Sequence, residues 1–116
     1  MELKIIKQDW QSLKRWFIIE PECHGIIQLE IYKQRQKDNV QAYICNFSVN
    51  KQHRKKGIGK ELLKAAEEIA KRQGFKYVYL IWDSADTPVW VYSWYKRNGY
   101  EQAGFKYEKV LLSKKL

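Results

Sequence analysis

The chain has 116 residues, enough for one domain with a self-sufficient apolar core, and 22 Lys/Arg against 13 Asp/Glu give it a net charge of +9. That excess favours an anionic partner without choosing among cofactor phosphates, nucleic acid and a lipid surface. Two cysteines without CxxC spacing argue against a zinc framework or a disulfide-stapled fold. With no apolar leader and no run of about 20 apolar residues, the expectation is a cytoplasmic protein with reduced thiols and no membrane partner.

Residues 1–7 set Leu3 and Ile5 against charged neighbours, which predicts a first strand. Residues 9–12 predict a turn, with a short helical turn through 10–13 as the alternative. Residues 15–20 are rich in β-formers and end at Pro21-Glu22-Cys23-His24-Gly25, typical punctuation. A strand resumes over 26–32, a polar run fills 33–39, and 40–49 is again strand-like, so the last two strands are expected to form a hairpin. The front half therefore reads as mostly antiparallel.

After Gly57 the period changes. Ile58, Leu62, Leu63, Ala66, Ile69 and Ala70 recur at helical spacing, with Lys60, Glu61, Lys64, Glu67, Glu68 and Lys71 assigned to the solvated side. Gly74 ends this helix and Phe75 anchors its exit. Residues 77–82 are apolar on both faces, the pattern of a central strand. Strand, glycine loop, helix and strand in that order predict a right-handed crossover within a mixed sheet. Thr87 as N-cap and Pro88 at the first helical position would open a second helix that ends at Asn98-Gly99. Residues 100–105 and 109–112 predict a closing pair of strands. No linker or repeat divides residues 1–116, so one domain is expected.

The glycine loop carries the strongest functional signal. Glycines at 57 and 59 would each weaken a helix interior by roughly 0.5–1 kcal/mol relative to alanine, so their use lies in the turn or in access to its backbone. A phosphate here would meet amide donors and the positive end of the following helix, with Arg54, Lys55, Lys56 and Lys60 around it. The alternative is a tight turn on a solvated basic surface. The loop lacks the Lys-Ser/Thr ending of a triphosphate loop and the third glycine of a dinucleotide fingerprint, which disfavours both cofactor classes.

Val49-x-x-x-x-Arg54-x-x-Gly57-x-Gly59, after a strand and before an amphipathic helix, resembles the acyl-CoA-binding motif of the GNAT acetyltransferases. Downstream, Trp94-Tyr95-Lys96-Arg97-Asn98-Gly99-Tyr100 is similar to that family's aromatic-tyrosine-basic segment, and the resemblance spans roughly residues 40–100. It implies an α/β (α+β) fold: a mixed, mostly antiparallel sheet with packing helices, a V-shaped splay between two central strands, and residues 43–72 as the cofactor core. It further implies acetyl-CoA as cofactor and direct transfer of its acetyl group to a primary amine of a small molecule or peptide. Cofactor contacts are then expected at Phe47, Val49, Arg54, Lys55, Lys56, Gly57, Ile58, Gly59 and Lys60, with the pyrophosphate on main-chain N–H groups.

Tyr95 matches the family residue that acts as general acid or hydrogen-bonds the thioester sulfur. Lys51 and Pro88 depart from the family's usual proline and asparagine. Only about 40 residues precede the cofactor strand, so the helical pair that helps bound the acceptor site is expected to be missing.

For the general base, Glu30 ranks first, on a strand able to line the acceptor cleft; Asp83 and a water relay are alternatives. His53 is read as a local, phosphate-adjacent group and His24 as a turn residue. Glu20, Glu22, Glu30, Asp83 and Asp86 either attract a cationic amine or sit in solvated turns. Trp82, Trp90, Tyr92 and Trp94 either wall the cleft or pack the second helix, whereas Trp10 and Trp16 are candidate anchors for a partner, including a second copy in a homodimer. No metal-ligand set is apparent. Two other functions are compatible with the composition: a CoA-binding or protein-interaction domain without catalysis, and a nucleic-acid-binding protein, the latter lacking any recognised reader motif.

Overall fold

The computed structural model describes residues 2–37 and 39–116. Four strands come first: β1 (Lys4–Asp9), β2 (Leu13–Ile19), β3 (Gly25–Tyr32) and β4 (Ala42–Val49). A 3₁₀ turn at Lys51–His53 and the glycine loop lead into α1 (Ile58–Arg72). Then follow β5 (Tyr77–Trp82), α2 (Val89–Arg97), β6 (Glu101–Lys106) and β7 (Lys109–Lys115). All seven strands join one mixed sheet in the order β1-β2-β3-β4-β5-β7-β6, with β4–β5 its parallel pair, so the expected fold class is the one observed.

Period-two alternation decides which face is buried. Trp16 and Ile18 of β2, Ile27, Leu29 and Ile31 of β3, Ala42 and Ile44 of β4, and Val78 and Leu80 of β5 all turn toward α1. Its Ile58, Leu62, Leu63, Ala66, Ile69 and Ala70 complete the core. From α2, Tyr95 enters that same core, so both helices lie on one side of the sheet. Gly25 permits the close approach of α1: a Cβ there would stand 3.0 Å from Leu62, 3.1 Å from Ile58 and 3.3 Å from the Ser48 carbonyl.

The other face bears Arg15, Phe17, Gln28, Glu30, Tyr43 and Cys45, and among the described residues no helix covers it. The reason is the β1–β2 connection, a short turn closed by the Trp10 N–H donating to the Leu13 carbonyl at 2.9 Å. The helical pair expected to be missing is absent from the described residues, and the alternative helical turn through 10–13 does not form.

Between β4 and β5 the sheet splits. They pair only through Tyr43 with Tyr79 and Ile44 with Leu80, after which residues 45–49 diverge from Ile81 and Trp82. A bulge bends β4 away: Ile26 faces Ser48 and Gln28 faces Cys45, leaving Asn46 and Phe47 against Ile27 alone. Asn46 takes φ 48°, and its Nδ2 donates to Oε1 of the buried Gln28 at 2.9 Å.

Several local expectations are corrected. β1 begins at Lys4, while Met1 of the expected first strand and Asp38 of the polar run lie outside the described residues. Glu67 is buried beneath α1, because it accepts the Tyr100 hydroxyl at 2.8 Å and the Lys114 ammonium at 3.0 Å. Pro88, not Thr87, is the N-cap of α2, with extended backbone and no side-chain cap bond. Trp16, at 5% exposure, belongs to the core instead of a partner surface, whereas Trp10 is exposed. β7 continues past Leu112 because its polar tail keeps pairing along β5 as far as Tyr77 opposite Lys115.

Candidate active site at the β4–β5 split

At the open end of the split, the chain leaves β4 and enters the glycine loop. The Arg54 N–H reaches the Lys51 carbonyl at a long 3.4 Å; among the described residues, the amides of 55–60 donate to no backbone carbonyl. Lys55 (φ 65°) and Gly57 (φ 83°) are left-handed, a geometry that gathers successive N–H groups into an anion-binding concavity. Gly57 caps α1 without a side-chain bond, so the first-turn donors remain open and carry the positive end of the helix. A Cβ on Gly57 would meet nothing within 4 Å, so φ, and not space, calls for glycine there. At Gly59 a Cβ would lie 3.6 Å from the rings of Phe47 and Trp94, which places this glycine where α1, β4 and α2 converge.

Arg54 is engaged with the strand. Its Nε donates to the Val49 carbonyl at 3.1 Å while the guanidinium sits 5.8 Å from the Trp90 ring centroid, linking the end of β4 to the start of α2. Lys55, Lys56 and Lys60 stay exposed around the loop. Free amides, surrounding cations and an unpaired strand half suit a ligand with a pyrophosphate at one end and amide groups along its length.

Tyr95 is 9% exposed, its ring 5.5 Å from Trp94, 5.9 Å from Tyr100 and 6.3 Å from Phe47 on the diverging half of β4. Burial pushes its phenol up to about 12. Among the described residues no hydrogen bond reaches this hydroxyl, and no sealed side-chain oxygen lacks a partner, so the hydroxyl has solvent access. Of the other cleft aromatics, Trp82 packs at a tilt against Tyr92, with centroids 5.1 Å apart, and donates through Nε1 to the Pro88 carbonyl at 3.3 Å, which anchors α2.

Glu30 stands apart from Tyr95, on the helix-free face. Oε2 takes Arg15 Nη2 at 2.7 Å and Nε at 3.1 Å, and Oε1 takes the Cys45 thiol at 3.3 Å. Burial, with the Glu30 carboxylate beside it, pushes that thiol up to about 12 and leaves it an inert donor. Asp83 closes the turn after β5: its Oδ1 accepts the Ala85 N–H at 3.0 Å and its Oδ2 pairs with Lys109 at 3.1 Å, and these contacts hold its carboxyl below the ordinary range. Glu20 and Glu22 gather instead on His24, at 3.3 and 3.8 Å. The acidic residues are thus divided among separate local clusters. Among the described residues no group could hold a metal ion, and no helix is long and apolar enough to cross a membrane.

Three features of the site escaped sequence reasoning. Gly25 reads in the sequence as turn punctuation, whereas in the fold it is the point where α1 comes close to β3. His24 and His53 stack with centroids 3.5 Å apart and planes within 6°, and two isolated histidines 29 positions apart carry no signal of that. The bulge did leave a trace, since apolar residues fall on 42 and 44, then on 47 and 49, a slip of phase at Asn46.

Solved structures share this architecture. An acetyltransferase of the GNAT family from Staphylococcus aureus is 22% identical, with a TM-score of 0.68 over 90% of this chain and 68% of that one. The PaiA N-acetyltransferase of Thermoplasma acidophilum, solved with coenzyme A, is 21% identical, with 0.69 over 90% and 62%. A Bacillus subtilis acetyltransferase solved with CoA is 16% identical, with 0.69 over 99% of both chains. This chain thus spans about two thirds of the first two and nearly all of the third. No curated protein matches it. The sequence profile of the Acetyltransferase (GNAT) family matches residues 2–100, the stretch that holds the split, the glycine loop and Tyr95. The chain belongs to the GNAT family of acetyltransferases.

Proposed function

We propose that the chain is an N-acetyltransferase that moves the acetyl group of acetyl-CoA directly to a primary amine of a small molecule or peptide. The observation that carries this is the run of unpaired amides at residues 55–60, continuous with the unpaired half of β4. In this reading residues 43–72 form the cofactor core. The amides of Lys55, Lys56, Gly57, Ile58, Gly59 and Lys60 take the pyrophosphate, and Arg54 exchanges its hold on Val49 for a phosphate oxygen. Main-chain groups near Phe47 and Val49 pair with the pantetheine amides and polarise the acetyl carbonyl.

Tyr95 donates a hydrogen bond to the departing sulfur. A phenol held near 12 stays protonated at any working pH, yet lies well above the ordinary thiol range near 8.5. It therefore stabilises the thiolate without giving up its proton. For the amine proton we favour a water relay, since both carboxylate oxygens of Glu30 and both of Asp83 already accept protein donors. The acceptor would approach from the helix-free face, where a cavity of about 130 Å³ lined by Tyr32, Gln36, Val40, Tyr43, Lys106 and Tyr107 lies beside the last paired residues before the split.

The test has two parts. Acetyl-CoA should shift the amide resonances of residues 54–60 in a saturable way, and unchanged signals at saturating ligand would end this reading. Polyamines, amino sugars, amino acids and peptide amines should then be screened for acetylated product. The engaged carboxylate of Glu30 favours a second reading, a domain that binds CoA without transfer; binding with no product across the whole panel would select it.

A further inference from the structure

The stacked imidazoles of His24 and His53 lie at the root of the phosphate loop. His53 follows the end of β4 and precedes the loop; its N–H donates to the Asn50 carbonyl at 2.8 Å. His24 belongs to the turn between β2 and β3, where its N–H donates to Glu20 Oε2 at 2.8 Å and its carbonyl accepts the Asn50 N–H at 2.7 Å. Asn50 thus fastens the two turns together, and the rings close over that fastening at 3.5 Å.

On its outer side His53 meets Lys56, with Nζ 3.4 Å from Nδ1. An ammonium has donors only, so this contact requires Nδ1 to be the unprotonated, accepting nitrogen. The charged groups facing the pair are Glu20 and Glu22 from the β2–β3 turn and Lys56 from the loop. Partial burial first, then His24 and Lys56, hold His53 below the ordinary imidazole range, against a smaller opposing pull from the two glutamates.

We propose that His53, braced by His24, is a positioning residue for the phosphate loop: neutral, it holds Lys56 back, and by taking up a proton it releases Lys56 to the cofactor's pyrophosphate. This rests on the acyl-CoA reading above. When Lys56 turns from Nδ1 to a phosphate oxygen, His53 loses a cationic neighbour and its lone pair becomes free, so a proton from solvent binds there more readily. Linkage then requires the reverse, that ligand binds more tightly where His53 is protonated. Affinity should rise as pH falls through the imidazole range.

Dephospho-CoA is the appropriate probe, because it lacks the 3′-phosphate monoester that itself titrates near pH 6. Calorimetric titrations from pH 5.5 to 8 should show binding several-fold tighter at the acid end, because the ligand-bound protein holds the His53 proton more firmly. The uptake of protons should also appear as a dependence of the heat on the ionisation enthalpy of the buffer. His53→Phe keeps a ring for the stack but has neither acceptor nor proton, and should flatten the profile.

A second readout does not depend on that variant folding. In the wild-type protein the ring resonances of His53 should titrate at a higher midpoint when dephospho-CoA is saturating. A flat wild-type affinity profile, a slope kept in His53→Phe, or a midpoint that stays or falls would each overturn the positioning role and leave the acyl-CoA reading standing. No binding of dephospho-CoA or acetyl-CoA at any pH would overturn both.

Discussion

Tyr95 and Tyr100 lie five residues apart, pack edge-on at 5.9 Å and are both buried, yet their hydroxyls have opposite fates. The Tyr100 hydroxyl donates to Glu67 on α1, the second oxygen of Glu67 takes Lys114 from β7, and the Lys114 ammonium lies 5.9 Å from the Tyr100 ring. Even Gly99 serves this cluster: its φ is 95°, and a Cβ there would press to 3.1 Å against the Lys114 side chain. The Tyr95 hydroxyl has no such partner, and the nearby amides of residues 55–60 are likewise open. One side of α1 is closed by protein groups and fixes the fold; the other holds donors that folding alone leaves unmatched, where a ligand can match them.

The largest effect should come from breaking the closed side. Glu67→Ala leaves Lys114 unpaired and the Tyr100 hydroxyl without its acceptor, at a cost of about 3 kcal/mol, the lower end for a mostly buried ion pair. Urea unfolding should register that loss, with a melting temperature lower by roughly 10 °C. Coenzyme affinity, measured where the variant is still folded, should barely move. A cost under about 1 kcal/mol would mean that the cluster does not hold the fold together.

Exchanging the tyrosines sharpens the contrast. Tyr95→Phe removes a hydroxyl with no protein partner, so stability should change by less than about 0.5 kcal/mol while turnover falls roughly 10- to 100-fold. Tyr100→Phe should do the reverse, costing about 1–2 kcal/mol because a buried Glu67 oxygen loses its donor, with turnover nearly intact. Alkaline pH gives a second handle. The phenol of Tyr95 is raised to about 12, so above the unfolded value of 10 the unfolded chain loses a proton that the folded one keeps. Its contribution is therefore complete below pH 10 and is lost as pH climbs toward 12, by up to about 3 kcal/mol. Tyr100, raised by burial and by Glu67, acts in the same direction. Unfolding curves at pH 9 and 11 should show the decline, and Tyr95→Phe should make it shallower.

At the open side, Gly57→Ala tests the loop's conformation. With φ at 83° and no atom within 4 Å of the added carbon, the substitution should cost about 1 kcal/mol, the ordinary penalty of a left-handed residue. Acetyl-CoA affinity should fall roughly tenfold, about 1.4 kcal/mol, because the methyl group narrows the approach to the amides. Unchanged affinity by calorimetry would mean that the ligand does not come within reach of this turn.

How much of this could be read in advance varied with the range of the interaction. α1 was legible because six apolar residues recur at its own period, and β5 because Tyr77–Trp82 is apolar on both faces. The glycine loop was legible because two glycines where a helix begins conflict with helix propensity. Glu67 misled: its spacing fits the solvated side, and only Tyr100 and Lys114, 33 and 47 positions later, make its burial tolerable. The contacts of Glu30 were hidden for the same reason, since the Arg15 and Cys45 that occupy it come from neighbouring strands whose register the sequence does not state. For Tyr95 the sequence offers family likeness alone, because spacing does not separate an open phenol from the satisfied one at Tyr100.

Gly59→Ala should produce the smallest change and the most discriminating one. Residue 59 is helical, and a Cβ there would touch Phe47 and Trp94 at 3.6 Å, an ordinary contact distance. Alanine loses less conformational freedom on folding than glycine and adds a little buried apolar surface, so thermal melting should show a gain of about 0.5 kcal/mol. If the glycine is kept for a ligand to lie close against the first turn of α1, acetyl-CoA affinity should fall several-fold in the same variant, by roughly 1 kcal/mol. Opposite signs for stability and affinity at one residue would set the open side of α1 apart from the closed one. A gain in both would instead make Gly59 a packing residue and leave Gly57 to carry the loop's use of glycine.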